Sequence, residues 1–355
     1  MQKNNILFFY IHMFLCVFII SSCNSTHKNY DFVWSKAKLV ENLTNKAYKV
    51  SYIMLENAPE KGLGGDIKSI RYCNGHYYIA DGSYGRERIV VVDGSGKIKS
   101  TINRYGRGPQ EYTMMLTWAM RNDTILIVDN RNQILEYTNK GEYIRTSKMP
   151  IPSINAIAAT NYGYIIHRPK YAADDYSCNY IVHILDEDFN ITHNIITENS
   201  NKISANFSQQ FSETNNSIIF HQQQTESIYV FDKSECKYTE YRIDFGQPDA
   251  DGNFATRLTS APIIFDGKIF NYTYVGEEAY NCSFDIKTGD VCYAKSGTAP
   301  LYSYNFAQVN ENRIVNWLNI TDYENKFLKN KPELPEECIR HMENEGTILI
   351  VVDVN

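Results

Sequence analysis

Val90-Val91-Val92-Asp93-Gly94-Ser95-Gly96-Lys97-Ile98 reads as an apolar strand, an aspartate, a glycine-containing turn and the start of a second strand. The same order returns at Leu135-Glu136-Tyr137-Thr138-Asn139-Lys140-Gly141-Glu142-Tyr143 and at Ile184-Leu185-Asp186-Glu187-Asp188-Phe189-Asn190-Ile191. It returns again at Val230-Phe231-Asp232-Lys233-Ser234-Glu235-Cys236-Lys237-Tyr238 and at Ser283-Phe284-Asp285-Ile286-Lys287-Thr288-Gly289-Asp290-Val291. The residues before the turns, Val92, Tyr137, Leu185, Phe231 and Phe284, lie 45, 48, 46 and 53 positions apart. Asp, Thr, Asn and Gly stand where a hairpin needs side-chain-to-backbone bonds or a positive φ.

Two more apolar runs precede each anchor. The nearer set is His76 to Ala80, Thr124 to Val128, Tyr162 to Ile166, Ser217 to Phe220 and Lys268 to Tyr272. The farther set is Ile67 to Tyr72, Met115 to Met120, Ile154 to Ala159, Phe207 to Phe211 and Ala261 to Phe265. With the strand after the turn, each period holds four strands. Runs such as Ile125-Leu126-Ile127-Val128 do not alternate, which suits sheets covered on both faces. Four-stranded units at this period predict an all-β fold, a β-propeller with four antiparallel strands per blade.

A sixth unit begins at Tyr302 to Val309, continues at Arg313 to Ile320 and ends with Thr347 to Asp353. Its fourth strand is missing where the sequence stops at Asn355. Lys49-Val50-Ser51-Tyr52-Ile53-Met54-Leu55 alternates apolar and polar residues and has no partner of its own. Placed as the outer strand of the last blade, it closes a six-bladed ring and removes an exposed edge. Between Ile320 and Thr347, Tyr323 to Lys329 and Leu334 to Asn344 read as a short helical insertion in blade six, with Pro332 and Pro335 near the starts.

Composition agrees with a large core. The 355 residues include 27 Tyr, 17 Phe and 3 Trp, with 43% hydrophobic and 21% charged residues. Disorder and coiled coil fit this poorly. The net charge of −6 argues against a nucleic-acid partner, which would call for a basic face. Ile6 to Ile20 is an apolar run behind Lys3, too short to span a bilayer and suited to a signal-peptide core. It ends in Ser21-Ser22-Cys23 and resembles a bacterial lipoprotein signal, with Cys23 as the lipidation site. The expected organisation is a signal peptide over 1–22, a tether over 23–44 and the propeller over 45–355. The expected location is the bacterial cell envelope, with the domain held on the membrane by acyl chains. The later cysteines, Cys73, Cys178, Cys236, Cys282, Cys292 and Cys338, form no CxxC pair and read mostly as small buried hydrophobes.

Ile102-Asn103-Arg104-Tyr105-Gly106-Arg107-Gly108-Pro109-Gln110-Glu111-Tyr112 resembles the I-G-R-x-G-x-G-P-G-E-Y turn of six-bladed propeller lipoproteins from Bacteroides-type bacteria, relatives of NHL-repeat propellers. Asn103 and Gln110 replace two of that pattern's glycines. Tyr77-Tyr78-Ile79-Ala80-Asp81, Arg88 to Asp93 and the ending Glu343-Asn344-Glu345-Gly346 are similar to the same family, so the likeness runs from about residue 45 to 355. It implies fold and envelope location and names no reaction. In the turn, Glu111 is expected to reach backbone donors; an anion site from loop amides with Arg104 and Arg107 is the alternative.

Propellers bind ligands at the channel mouth, and the loops leaving each second strand are the expected place. Those positions supply Asp81, Asp129, Arg131, His167, Arg168, His221, Tyr274 and Asn319 as candidate ligand-binding residues. The ring is polar and mixed in sign, suited to a small molecule such as a sugar or small anion, a glycan, a peptide or a protein partner. Zinc-holding histidines of NHL-type lyases make His167 and His221 the candidate ligands should a divalent metal bind, with Asp81 or Asp129 adding oxygen, but lone histidines at loop starts are more often simply solvated, and a metal is not the favoured reading. No HExxH, GxSxG, P-loop or dinucleotide fingerprint is present, and no catalytic pair stands out. The leading expectation is a binding module. An extracytoplasmic lyase or hydrolase and a structural scaffold are the alternatives.

Overall fold

The computed structural model describes residues 30–44, 47–57, 63, 66–83, 86–168, 180–197, 211–221, 225–246, 256–258, 261–298, 300–303, 305–325 and 331–354. These form six blades around one axis, each a sheet of four antiparallel strands counted outward from the channel. Blade 1 is Ile67–Cys73, His76–Asp81, Arg88–Asp93 and Ile98–Ile102. Blade 2 is Met115–Arg121, Thr124–Asp129, Gln133–Thr138 and Tyr143–Lys148. Blade 3 is Ala156–Thr160, Gly163–His167, Tyr180–Leu185 and Ile191–Thr197. Blade 4 is Phe211–Glu213, Ser217–His221, Ser227–Asp232 and Tyr238–Asp244, and the expected start of its first strand, 207–210, lies outside the described residues.

Blade 5 departs from the pattern at its first position. Two short pieces, Thr256–Leu258 and Ile263–Phe265, share the edge of Lys268–Val275, followed outward by Glu278–Asp285 and Val291–Lys295. Blade 6 is Phe306–Asn310, Arg313–Leu318 and Ile348–Val354, completed by the N-terminal strand Tyr48–Met54. That strand pairs antiparallel with Ile348–Val354 through Leu349↔Ile53, Ile350↔Tyr52 and Val351↔Ser51. The closure expected from the orphan strand is therefore the observed one.

The repeated turn has one physical cause. Asp93 Oδ1 accepts from Ser95 N and Lys97 N, and Thr138 Oγ1 from Lys140 N and Glu142 N. Asp186 Oδ1 accepts from Asp188 N and Asn190 N, Asp232 Oδ1 from Ser234 N and Glu235 N, and Asp285 Oδ1 from Lys287 N and Thr288 N. A short acceptor at this position satisfies the amides of the reversal, so the motif recurs once per blade in the first five blades.

The core is a ring of apolar seams between neighbouring blades. Ile79, Val90 and Val92 of blade 1 pack with Val315, Trp317 and Leu349 of blade 6, and Ala80, Ile89 and Val91 with Ile125, Ile127 and Leu135 of blade 2. Both faces of each central strand are thereby buried, which is why these strands do not alternate. A helical insertion, α1 (Ile320–Glu324) and α2 (Glu336–Glu343), packs through Cys338 and Met342 on the face of blade 6 that carries Leu318, Ile348 and Ile350. The helix expected at 323–329 begins earlier, because Asn319 accepts from Asp322 N and caps the chain there; residues 326–330 lie outside the described set.

Residues 30–44, expected as tether, instead belong to the ring. Tyr30–Val33 pairs in parallel with the outer strand of blade 4, and Lys38–Leu39 with that of blade 5. Phe32 is wholly buried in the seam between blades 4 and 5, where its ring lies 5.3 Å from that of Phe284; Leu43 is buried between blades 5 and 6. A few apolar side chains spaced through a polar stretch are enough to seal two seams from outside. Residues 1–29, with the apolar run expected as a signal peptide and Cys23, lie outside the described residues.

The turn after blade 1 takes the structural role. Glu111 Oε2 accepts from Gly108 N at 2.8 Å, so the loop's own carboxylate meets the amide that an anion would need. A Cβ on Gly106 would collide with that carboxylate, which explains the glycine. Tyr112 is buried and its hydroxyl donates to Glu87 O at 2.8 Å, with Ile102 O the alternative acceptor at 3.2 Å, while Tyr137 donates to Gln110 O. Cys282 and Cys292 are one register apart, since Cys282 faces Tyr293 and Ser283 faces Cys292. Cys282 and Cys338 are buried, Cys73, Cys236 and Cys292 partly so, and all five are free thiols; Cys178 lies outside the described residues.

Candidate functional site

Strands one and three of every blade end at the same mouth of the channel, where the hairpin between the first two strands also sits. At this hairpin mouth a cavity of ≈ 540 Å³ opens. Its walls come from the ends of first strands: Arg71 to Cys73, Met120 to Asn122, Ala159 to Asn161, Glu213 to Asn215, and Gln308 with Val309. Lys233 joins from the third-to-fourth turn of blade 4.

Arg71 organises the floor. Its Nη1 donates to Trp118 O of blade 2 at 2.5 Å and its Nη2 to Ile157 O of blade 3 at 3.4 Å. The same Nη2 lies 2.8 Å from Glu213 Oε1 of blade 4, and the guanidinium carbon sits 4.4 Å above the Trp118 ring. One side chain from blade 1 therefore ties three other blades across the channel. Lys233 Nζ meets the other carboxylate oxygen, Glu213 Oε2, at 3.0 Å. Burial pushes the Glu213 carboxyl up, but Arg71 and Lys233 outweigh it and hold the group below its ordinary value, so it is ionised at neutral pH. The side chains of all three are about one-seventh exposed, open to the cavity and little else.

Hydrogen bonds between blades frame the cavity. Lys233 N donates to Asn216 O and Lys233 O accepts from Asn161 N, which fixes the turn between two hairpins. Asn216 N donates to Glu311 Oε1 at 3.0 Å and joins the hairpins of blades 4 and 6. Gln308 accepts from Ile264 N and donates to Ile264 O, which pins the broken first strand of blade 5 to blade 6. Arg121 pairs with Glu187 and lies over the Tyr164 ring at the rim. Thr160 Oγ1 and Arg71 Nε are buried without a hydrogen-bond partner.

The residues singled out from sequence stand at the opposite mouth, where the second strands end. Asp81 is fully buried, accepting from Arg88 Nε and Nη2 and from Asp66 N. Asp129 is equally buried; Oδ1 accepts from Arg131 N and Gln133 N, and Oδ2 from Arg131 Nε at 2.7 Å. Arg131 also donates to Glu111 O and so belongs to the belt between blades 1 and 2. Asn319 caps α1, and half-buried Tyr274 packs edge-on to Tyr272. His167, Arg168 and His221 are buried.

The His167 ring lies 4.9 Å from that of Phe220, the residue before His221, and neither ring nitrogen has a partner. His221 Nδ1 donates to Ser227 O at 3.0 Å, which leaves Nε2 as the unpartnered atom. Burial pushes both imidazoles down, His167 to about 3 with His183 adding to the effect, and His221 to about 4. Among the described residues no group of three or more His, Cys, Asp or Glu side chains is placed to hold a metal ion.

Arg71, Glu213 and Thr160 lie at the ends of inner strands and Lys233 in a turn at the same mouth, away from the loops where the sequence places a ligand. The available signal was a charge inside an otherwise apolar inner strand, as in Ile70-Arg71-Tyr72. A channel-facing position is where such a charge has somewhere to go.

A six-bladed propeller with a polar, charged pocket at one mouth is a fold class with a candidate ligand site. The sequence matches the family described as a domain of unknown function, DUF4934, over residues 32–352, and the chain belongs to that family. Among solved structures it is similar to a protein of Bacteroides fragilis described as exported, with 15% identity and a TM-score of 0.67 over 92% of this chain and 99% of that one. BamB from Moraxella catarrhalis is more distant, with 12% identity and a TM-score of 0.42 over 69% of this chain and 66% of that one. No curated protein matches the sequence.

Proposed function

We propose that this protein is an exported binding module that holds a small polar ligand in the hairpin-mouth cavity. The observation that carries the reading is the cavity of ≈ 540 Å³ floored by the Arg71–Glu213–Lys233 cluster. Its size lies within the range of ligand pockets, about 300–1,000 Å³. Asn122, Asn161, Asn215, Thr160 and Thr214 are among the residues that line it, a polar wall that suits a hydroxyl-rich ligand such as a glycan or the polar end of a peptide. The proposal moves the ligand from the mouth expected at first, because Asp81, Asp129 and Asn319 there are engaged by the fold itself.

Export is supported by the signal-like run ending at Cys23, by the resemblance to NHL-like lipoproteins and by the exported relative. Anchoring through lipid on Cys23 is part of the same proposal. Oligosaccharide and peptide arrays probed with the wild type and with Asn215→Trp test the binding role. Asn215 is an exposed residue on the cavity wall, so an indole there blocks entry without disturbing the core. Array signals that vanish in N215W are expected. Signals that survive it, or none with the wild type, overturn the reading.

A further inference from the structure

Among the described residues Arg71 and Lys233 share a single carboxylate, Glu213, so the floor of the cavity carries one more positive charge than negative. Arg121, the third cation on the wall, already pairs with Glu187, and neither Glu187 nor the rim carboxylate Glu311 lines the cavity. An excess cation on the wall of a partly enclosed cavity focuses a positive potential there and attracts an anion. Two further donors have no partner in the same place: Thr160 Oγ1, in a residue only 4% exposed, and Arg71 Nε. Both are unsatisfied groups of the kind a ligand completes.

We infer that the ligand of this pocket presents an oxyanion, a carboxylate or a phosphate, to Lys233 and Thr160 on the Arg71–Glu213 floor. The inference rests on the binding role proposed above and names the chemistry of that ligand. Glu213 then acts as an internal competitor: it holds the two cations in position, and an incoming anion takes the charge it leaves unmatched. The amides of Asn161 and Asn215 at the wall serve the hydroxyl-bearing part.

The test is calorimetric titration of the full chain at low salt with three probes of similar size: glucuronate, glucose 6-phosphate and glucose. At least one anionic sugar is expected to bind ten-fold or more tightly than glucose. The ratio between glucuronate and glucose 6-phosphate then tells carboxylate from phosphate. In Lys233→Met the preference for the anion falls to less than three-fold. In Thr160→Val, which keeps the shape and loses only the hydroxyl, anion binding weakens. In Glu213→Gln anion binding strengthens although the fold is loosened, a result that a purely structural role for Glu213 does not produce. Circular dichroism confirms that each variant is folded.

Equal affinity for glucose and both anions, no binding of either anion, or an unchanged preference in K233M overturns the inference. If array ligands are lost in N215W while the wild type shows no preference for the charged sugars, the binding role stands and the oxyanion does not.

Discussion

Replacing His167 by Phe should flatten the acid side of the stability curve. His167 is 3% exposed, packs against Phe220, and neither ring nitrogen finds a partner. The groups around it include His183, whose Nδ1 meets Asn194 Oδ1, and Arg168, a cation that further disfavours protonation of His183. Burial, with His183 adding, brings the His167 imidazole from its ordinary 6.5 to about 3, so the folded protein keeps it neutral. Between these values the unfolded chain binds the proton and the folded one does not. Stability therefore rises with pH across that window, is complete above about 6.5, and is lost as the pH falls.

At pH 5 the unfolded state gains about 2 kcal/mol per such histidine, from 1.5 pH units at about 1.4 kcal/mol each. His221, brought down to about 4 by burial, adds a similar amount, so the pair removes about 4 kcal/mol between pH 7.5 and pH 5. Glu213 has its effect lower, because a depressed carboxyl loses its contribution only as the pH falls through its folded value. Urea unfolding of the wild type and H167F at pH 7.5, 6.5, 5.5 and 5 isolates the term. The difference between the variants should grow by about 2 kcal/mol toward pH 5. At pH 7.5 H167F should be at least as stable, since phenyl needs no partner. Parallel curves refute the account. A rise in wild-type stability with zinc that H167F and H221F both abolish would instead make these side chains metal ligands.

Three further outcomes follow from the packing. Arg71→Met strands Glu213 beside a single remaining cation and should cost about 3 kcal/mol in urea unfolding; R71M/E213M should recover at least half of it. Leu349→Ala, in the wholly buried seam that joins the closing blade to blade 1, should cost about 2–5 kcal/mol by the same measurement. Gly163→Ala places a Cβ against Leu185 O at φ +135° and should cost more than about 2 kcal/mol, whereas Gly75→Ala, at φ +80° with nothing within 4 Å, should cost only about 1–2 kcal/mol.

The architecture was legible because it is periodic. A short acceptor before each turn, a non-alternating strand behind it and an orphan strand at Tyr48–Met54 each repeat or complete a unit, and repetition separates signal from chance. The strands at Tyr30–Val33 and Lys38–Leu39 were not legible. They pair in parallel with blade edges far along the chain and owe their place to Phe32 and Leu43, two side chains that carry no period. Asp81 and Asp129 each close an apolar strand with a carboxylate, and the arginines they meet, Arg88 and Arg131, could not be read from the strand alone.

The pocket lies where the repeat breaks. The hairpin-end residues of the first strands are Cys73, Arg121, Thr160, Glu213, Phe265 and Asn310, no two of them alike. In blade 5 the residue is Phe265, which is buried among Phe270 and Ile263, and no described residue of that blade lines the cavity. Blades 4 and 6 instead meet through Asn216 and Glu311, and Arg71 crosses to Glu213. A symmetric ring would place like side chains opposite one another, and six arginines or six glutamates cannot share one low-dielectric mouth. A charged floor therefore requires blades that differ at this one level. In a propeller, then, the period gives the fold, and the positions that depart from it along the inner strands are where a ligand site is to be sought.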